Sequence, residues 1–585
     1  MSQADRSDKS ARLQYAADEK PPLLLASLLG FQVVTLILVG IVLTPLIVLR
    51  AVGLEGQYGS WVVFAALLIS GLTTMLQARR IGPVGAGYAL FMGTSGAFIA
   101  IGIAALTAGG MPLMGTLIIA AALVQFVFAS KLGQLRRILT PTVGGTVMML
   151  IAVTVFPVIF DLLAQRPETT LGPSGAPLVA TITFLITLSL LLFARGGLKL
   201  WGPLGGVLTG CLVAWSIGLL DVSAVATAPW LGLPSVAWPG LDLSFGPAFW
   251  GLLPAFIIVT LVGAVETYGD AIAIQRLSHR EQRPLDFKVV QGAVYADGVG
   301  NLLSGVAGTL PNTTYSDSIA VVEMTGVAAR RVALLGGLML VLLAFSPKLS
   351  ALLQSVPSPV LGAFAFVILS LLFGNGLRMV TEGGLSYRNA FVVCLAFWLG
   401  MGFQHQWLFS DLLPPWSRIL LDNGITAGSI VAILLMLALN IGSPRRHRRS
   451  LASSHAALGE LHDWLQEEAV AIGWDKPAVM RLQLAAEEAL LYLLERRSTG
   501  NRRRELRLSA AVQRDGDLLT VEFFMGAQTQ ENILDQLSGL EAQPDRSDGE
   551  DAGLRILRGL VQNLDHQQYN EGEYLSFSVD STPLA

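Results

Sequence analysis

Four carboxylates interrupt otherwise apolar stretches of the chain: Glu266, Asp270, Asp297 and Asp317. Glu266 and Asp270 lie four residues apart in VETYGD, a spacing that places them on one face of a helix. A carboxylate at bilayer depth is costly and normally faces a cavity, where it binds a substrate or carries a proton. Four acids in three consecutive segments favour such a site over simple interhelical hydrogen bonding, and Asp297 best fits a purely structural role.

Other side chains that could do chemistry lie outside the apolar segments. The six histidines are in loops or in the C-terminal region, so any proton coupling has to use carboxylates. Cys211 and Cys394 lie in apolar runs and are expected to be packing residues rather than a disulfide or metal site. The sequence therefore predicts no metal site.

The acids are carried by a succession of apolar segments, each long enough to cross about 30 Å of hydrocarbon. These segments are predicted at 23–50, 59–78, 112–130, 141–164, 178–195, 199–220, 247–275, 290–306, 332–346, 358–376, 386–403 and 425–442. Two further segments, 83–107 and 308–326, are rich in Gly, Ser and Thr and are interrupted by Pro83 and Pro311. Counted as broken crossings, they bring the total to 14, with each broken segment third in a set of seven. That placement is typical of inverted repeats.

Basic residues support this count. With 14 crossings and a cytoplasmic N-terminus, 23 of the 27 Lys and Arg residues in 1–450 fall on one side. The positive-inside rule then predicts that both termini are cytoplasmic. Residues 1–22 are polar and mixed in charge, so they are expected to form a cytosolic N-terminal segment rather than a signal peptide.

The membrane region, residues 23–442, resembles the nucleobase–ascorbate transporter family, which includes bacterial uracil and xanthine permeases. The resemblance is carried by Gly30–Val48, Gly71–Ser95, Val265–Asp270 (VETYGD), Ala296–Asn301 (ADGVGN), Pro311–Arg330 and Pro357–Phe364. It implies a fold of 14 segments in two inverted seven-segment repeats, with a core domain that binds substrate and a gate domain that mediates homodimerisation. It also implies secondary active transport of a nucleobase such as uracil or xanthine across the inner (plasma) membrane, coupled to protons or sodium.

Site roles follow from the same resemblance, position by position. Glu266 and Asp317 match acids that hydrogen-bond the nucleobase, and Asp270 and Asp297 match positions linked to coupling. The remaining expected substrate contacts are Phe91, Gly93, Thr94 and Ser318. A uracil- or xanthine-like base offers ring N–H groups to carboxylates and carbonyls to backbone N–H groups at half-helix ends.

The charge balance separates the chain into two unlike parts. Residues 1–450 hold 27 basic and 19 acidic residues, whereas residues 451–585 hold 12 and 23. A basic linker, 443–450, thus leads from the membrane region to an acidic cytosolic domain. With 53% hydrophobic and 14% charged residues, the chain is not a single soluble domain, and no nucleic-acid partner is expected.

The C-terminal part is predicted to be a soluble α+β domain. Its order is helices 452–472 and 476–497, strands 504–513 and 518–525, a helix at 551–563 and a strand at 573–580. It resembles the anti-sigma-factor and histidine-kinase type of ATPase fold, with Glu488 at the position of the magnesium-linked Glu. Tyr492 replaces the expected Asn, and the adenine-binding Asp-x-Gly is replaced around Phe524–Gly526. We therefore expect no ATP cofactor, and a regulatory domain with a cytosolic protein partner.

Four alternatives differ from this interpretation in testable ways. A channel requires a continuous polar path, and a sensor kinase requires a phosphoacceptor His with intact nucleotide motifs. An anion transporter of the related sulphate-permease fold is the runner-up, for which basic residues at the midplane would be expected. A transporter-derived sensor that signals through the C-terminal domain also remains open.

Overall fold

The computed structural model describes residues 13–130, 140–165, 169–234, 238–280, 285–381, 386–408, 421, 423–441, 447–452, 454–499, 506–515, 518–527, 557, 560–561, 563–569 and 572–580. The chain divides into two compact units. One comprises most of the chain up to Met436, and the other comprises most of the chain from Leu437 to Ala585.

The first unit is almost entirely helical. The helices of its first half are α1 (Leu23–Ala51), α2 (Glu55–Arg79), α3 (Ile99–Ala129), α4 (Pro141–Thr154), α5 (Phe156–Ala164), α6 (Gly175–Phe193), α7 (Gly202–Ser216) and α8 (Ser223–Thr227). The helices of its second half are α9 (Pro247–Leu277), α10 (Phe287–Ala307), α11 (Ser316–Thr325), α12 (Arg330–Ala344), α13 (Pro347–Gln354), α14 (Ser358–Thr381), α15 (Tyr387–Gln404) and α16 (Gly424–Ile441).

The helix lengths and apolar composition of the first unit match a membrane protein, and we call it the membrane unit. Within the described residues, eight helices are long and apolar enough to cross a bilayer, or nine if the sharply bent pair α12–α13 is one span. Every predicted segment corresponds to a helix, to two consecutive helices (α4 and α5) or to a strand–helix combination. The number of crossings, 14, stays a prediction.

Local sequence sets several helix boundaries. The Thr140 side chain accepts a hydrogen bond from the N–H of Val143, with Pro141 at the first position of α4. Within α3, Gly110 adopts φ +71° and Pro112 follows. Because a left-handed backbone interrupts the helical hydrogen bonds, α3 consists of two helices with a kink at Gly110.

The two Gly-, Ser- and Thr-rich segments are interrupted by short strands. Strand β1 (Met92–Thr94) pairs antiparallel with β2 (Asn312–Thr314), and Gly93 lies opposite Thr313. A 3₁₀ turn, Gly96–Phe98, leads from β1 into α3, and α11 begins two residues after β2. Each interrupted segment therefore has a helix N-terminus beside the strand pair, as predicted for broken crossings.

Pairs of glycines lie at several close helix crossings. At each crossing, a Cβ atom added to either glycine would press against the backbone carbonyl of the other. The pairs are Gly71 with Gly337 (α2 and α12), Gly115 with Gly305 (α3 and α10), Gly145 with Gly376 (α4 and α14), and Gly400 with Gly424 (α15 and α16). In the predicted order of 14 segments, α2, the second part of α3, α10 and α12 are segments 2, 4, 9 and 11. A repeat that maps segment 2 onto 9 and segment 4 onto 11 therefore converts the α2–α12 crossing into the α10–α3 crossing. Small residues at such positions let membrane helices approach closely.

The residues before α1 lie against the ends of three helices. Tyr15 forms a parallel bridge with Val327, between α11 and α12. Ala17 donates its N–H to the carbonyl of the residue after α9. Glu19 accepts hydrogen bonds from Arg280 and Ala16, and its bond to Arg280 is the main cause that lowers the pKa of that carboxyl. We call residues 13–22 the N-terminal strap.

The second unit is an α+β domain. Its sheet runs β3 (His447–Leu451), β4 (Leu506–Asp515), β5 (Leu518–Ala527), β7 (Gly572–Asp580) and β6 (Asn563–Tyr569), in that spatial order and antiparallel throughout. Helices α17 (Ala457–Val470) and α18 (Lys476–Thr499) share one hydrophobic core with the sheet. Tyr492 is buried in this core, so the position of the expected Asn carries a packing side chain.

Two sequence assignments in this unit differ from the structure. Residues 447–450, assigned to the basic linker, belong to edge strand β3, whose exposed basic side chains discourage pairing with another chain. Of the helix predicted at 551–563, residues 551–556 lie outside the described residues, and β6 already begins at Asn563. Side-chain periodicity missed β6 because only its pairing with β7 makes it a strand.

Candidate functional site

The site is organised around the β1–β2 pair. Helix α9 carries Glu266 and Asp270, α10 carries Asp297, and Asp317 lies in the first turn of α11 directly after β2. The Tyr315 hydroxyl is within electrostatic range of both Glu266 and Asp317. The structure thus assembles the predicted acids from three elements, although the four differ in their contacts.

Glu266 and Asp317 are the acids that remain available. Glu266 is half-buried and Asp317 is exposed. Among the described residues, neither carboxylate has a hydrogen-bond or ion-pair partner. Asp317 lies at a helix N-terminus, where the helix dipole stabilises a negative charge. Two such carboxylates can accept hydrogen bonds from a ligand.

Asp270, in contrast, is held by the protein. It is buried, and its two oxygens accept hydrogen bonds from Thr314 Oγ1 at 2.6 Å and Ser316 Oγ at 2.9 Å. Thr314 is the last residue of β2 and Ser316 is the first residue of α11, so the two donors lie on either side of Tyr315. Asp270 therefore connects α9 to the segment that presents Asp317.

Asp297 is also hydrogen-bonded within the protein, and its exposed fraction is 1%. Its Oδ2 accepts a hydrogen bond from Gln125 Nε2 at 2.7 Å, and Gln125 belongs to the second part of α3. The contact joins the two halves of the membrane unit. It agrees with the expectation that Asp297 best fits a structural role, and its predicted part in coupling stays a prediction.

The first-half segment contacts Tyr315. The Tyr315 hydroxyl donates to the Thr94 carbonyl at 2.7 Å, and the backbone N–H of Tyr315 donates to the Phe91 carbonyl at 2.9 Å. A Cβ atom on Gly93 would lie 2.7 Å from the Tyr315 ring, so only glycine leaves room for this ring. Thr94 Oγ1 donates to the carbonyl of Ile41 on α1.

Two of the predicted substrate contacts serve the framework through their side chains. The Phe91 ring lies against Gly336 on α12. Ser318 is buried, and its hydroxyl donates to the Tyr315 carbonyl at 2.7 Å. Their direct contact with a substrate stays a prediction.

Sequence reasoning did not identify Tyr315, Thr314 and Ser316 as site residues. The available signal was the hydroxyl-rich run TTYSDS around Asp317, in which consecutive side chains were able to serve as donors. Their roles depend on contacts with α1, α9 and β1, which are distant in sequence. Within the described residues, no group of three or more His, Cys, Asp or Glu side chains could hold a metal ion.

Comparisons with known proteins concern the membrane unit. A family model, described as the permease family (Xan_ur_permease), matches residues 25–407. The xanthine permease XanP of Escherichia coli K12 is 29% identical over 445 residues, which is 73% of this chain and 95% of XanP. The nucleobase transporter PlUacP of Paenibacillus larvae is 28% identical over 448 residues, covering 74% of this chain and 98% of PlUacP.

Among solved structures, the chain is similar to the transmembrane domain of a cyanobacterial bicarbonate transporter, BicA. The match has a TM-score of 0.46 and 16% sequence identity, and it covers 72% of this chain and 100% of that domain.

Proposed function

The chain belongs to the permease family of xanthine and uracil transporters, and from that premise we propose that it is a secondary active transporter of a nucleobase, coupled to protons. It is a multi-pass membrane protein and a transporter rather than an enzyme. The relatives named above are a xanthine permease and a nucleobase transporter. Xanthine and uracil are therefore the first substrates to test.

The observation that carries this proposal is a pair of carboxylates, without partners among the described residues, beside two helix N-termini. Glu266 and Asp317 are able to accept hydrogen bonds from ring N–H groups, while backbone N–H groups at the starts of α3 and α11 are able to donate to ring carbonyls. Such a site discriminates strongly against analogues that lack one polar group, because its own groups are then left unpaired. This pattern of donors and acceptors suits a neutral heterocycle.

Asp270 is the acid through which we propose that coupling occurs. Protonation would weaken its two hydrogen bonds to Thr314 and Ser316, because a neutral carboxyl is a poorer acceptor. Both donors adjoin the segment that carries Asp317, so the protonation state would affect substrate contacts. No histidine is available in the predicted spans, which leaves carboxylates as proton carriers.

The cellular arrangement completes the proposal. The distribution of basic residues supports an inner-membrane protein with both termini in the cytoplasm. We also propose a homodimer and a regulatory role for the C-terminal unit, acting through a cytosolic protein rather than through ATP. Membership of the permease family supports the homodimer, and the charge patterning and the core position of Tyr492 support the regulatory role.

A thermal-shift screen of the purified full chain tests the ligand class. We expect xanthine or uracil to stabilise the wild type and to have no effect on Glu266→Gln or Asp317→Asn. Asp161→Asn is the matched control, because Asp161 is an exposed carboxylate on α5 without a partner among the described residues. If bicarbonate or sulphate stabilises the protein and no nucleobase does, the anion-transporter alternative replaces this proposal.

Uptake into proteoliposomes tests coupling. An inward proton gradient should drive accumulation of radiolabelled xanthine or uracil, and a protonophore should abolish it. Asp270→Asn should retain binding and exchange but lose gradient-driven accumulation. Accumulation that depends on sodium and is unchanged by the protonophore would contradict proton coupling.

A further inference from the structure

A chain of buried polar side chains connects Asp297 to the strand that precedes Asp317. Gln125, Asn301 and Asn312 are the members of this chain, and all three are at most 2% exposed. They lie on α3, α10 and β2, so the chain crosses between the two halves of the membrane unit. Because buried polar groups are costly without partners, such a chain fixes the relative positions of its members.

Gln125 is the centre of the chain and uses both ends of its amide. Its Nε2 donates to Asp297 Oδ2 at 2.7 Å, and its Oε1 accepts from Asn301 Nδ2 at 2.9 Å. Asp297 and Asn301 lie four residues apart and therefore share one face of α10. One amide thus forms hydrogen bonds with two side chains on successive turns of α10.

Asn301 transmits this arrangement to the backbone of β2. Its Oδ1 accepts the N–H of Asn312 at 2.9 Å, and the Asn312 side chain donates to Thr73 Oγ1 on α2 at 3.0 Å. Asn312 opens β2, which continues through Thr314 to Asp317. If Gln125 does not orient the Asn301 amide, its oxygen no longer points at this N–H.

We propose that Gln125 is a positioning residue for substrate binding, which acts through Asn301 to set the placement of β2 and hence of Tyr315 and Asp317. The carboxylate of Asp297 serves this bridge as the acceptor that orients the Gln125 amide. The inference rests on the proposed function only where substrate affinity is measured. Its effect on the backbone of β2 does not require a ligand.

Hydrogen exchange followed by mass spectrometry tests the backbone effect. Gln125→Leu removes both hydrogen bonds at nearly constant volume and should accelerate exchange in the peptide spanning 308–320 by about tenfold or more. Thr116→Val is the control, since Thr116 is also buried on α3 and its hydroxyl donates to the Asp242 carbonyl rather than toward β2. Equal acceleration in both variants, or none in Gln125→Leu, would overturn the proposal.

Substrate kinetics with a paired exchange test the role of Asp297. Gln125→Glu and Asp297→Asn should each raise the KM for radiolabelled xanthine or uracil by about tenfold or more, because each disrupts the charge-assisted bond. In the double variant, the new amide is able to donate to the new carboxylate, which still accepts from Asn301. KM should therefore return toward the wild-type value, whereas Thr116→Val should leave it unchanged.

Uptake tests the proposed function, and hydrogen exchange tests the role of Gln125 without a substrate. If the wild type takes up neither base, the proposed function fails, and hydrogen exchange still decides the role of Gln125. If both single variants impair uptake and the double variant does not recover, Asp297 has a task of its own and the positioning role is refuted. The double variant conserves both hydrogen bonds, so it also provides a folded test protein where Gln125→Leu does not fold.

Discussion

The crossing of α2 and α12 at Gly71 and Gly337 offers the sharpest test of how the membrane unit is packed. A Cβ atom on Gly71 would lie 2.6 Å from the Gly337 carbonyl oxygen and 2.9 Å from the Val341 nitrogen. Ordinary van der Waals contact begins at 3.4 Å. The same Cβ atom would also lie 2.8 Å from Val341 Cγ2, but the other two obstructing atoms belong to the backbone, so no side-chain rotation relieves the whole clash. Gly71→Ala therefore has to push the two helices apart by about 0.8 Å.

The expected cost follows from this displacement. Forcing an extra methyl group into a well-packed crossing costs about 1–3 kcal/mol. Gly→Ala also changes the intrinsic helix propensity, and Gly374→Ala on α14 controls for that, because nothing lies within 4 Å of its added Cβ. The difference between the two variants isolates the clash. We expect the Gly71→Ala protein to melt several degrees below the Gly374→Ala protein, since about 1 kcal/mol corresponds to roughly 2–4 °C in domains of 150–250 residues.

The assay is thermal unfolding of the purified protein in detergent, combined with uptake. Uptake is informative because α2 also holds the first interrupted segment: Thr74 Oγ1 accepts the N–H of Met92 at 2.9 Å. A shift of α2 should therefore raise KM as well. In the double variant Gly71→Ala with Gly337→Ala, one separation relieves both clashes, so its cost should be less than the sum of the single costs.

One result would refute this reasoning. If Gly71→Ala melts within about one degree of Gly374→Ala and keeps its KM, the crossing is not limited by backbone contact. Strict additivity in the double variant would likewise show that the two glycines do not share one contact.

Three further outcomes test individual contacts. Thr314→Val removes one donor from Asp270 at constant shape and should reduce kcat/KM for gradient-driven uptake about tenfold to a hundredfold, because a hydrogen bond to a charged group contributes about 1.5–3 kcal/mol. Tyr315→Phe keeps the ring and loses the hydroxyl bond to β1, so the Kd for the substrate should rise about fivefold or more in binding titrations, and an unchanged Kd would contradict its place in the site. The N-terminal strap should detach at acid pH: the pKa of Glu19 is lowered by Arg280 in the folded protein, so the contact stabilises docking above the ordinary carboxyl pKa and is lost as pH falls through the lowered pKa. The protection of the strap against hydrogen exchange should therefore decrease as pH falls in the wild type and not in Glu19→Gln. If protection depends on pH in the same way in both proteins, the contact does not hold the strap.

The acids were predictable from sequence, but their division of labour was not. Glu266, Asp270, Asp297 and Asp317 are conspicuous because a carboxylate in an apolar segment is costly wherever the chain goes. Which of them is committed to the protein depends on remote partners. Asp297 meets Gln125 across 172 positions of sequence, and Asp270 meets Thr314 across 44. Glu266 and Asp317 remain unpartnered among the described residues, and no local pattern distinguishes them from the other two.

The sequence by itself determined where the apolar segments lie and where two of them break. The reason is local: in a bilayer each segment has to satisfy its own backbone hydrogen bonds as a helix, so length and composition suffice to locate it. The tertiary structure alone decided which segments cross, because lipid does not distinguish one apolar helix face from another and close packing of small residues selects the partner. It also decided which polar groups meet within the interior, and therefore which two of the four carboxylates have no partner among the described residues.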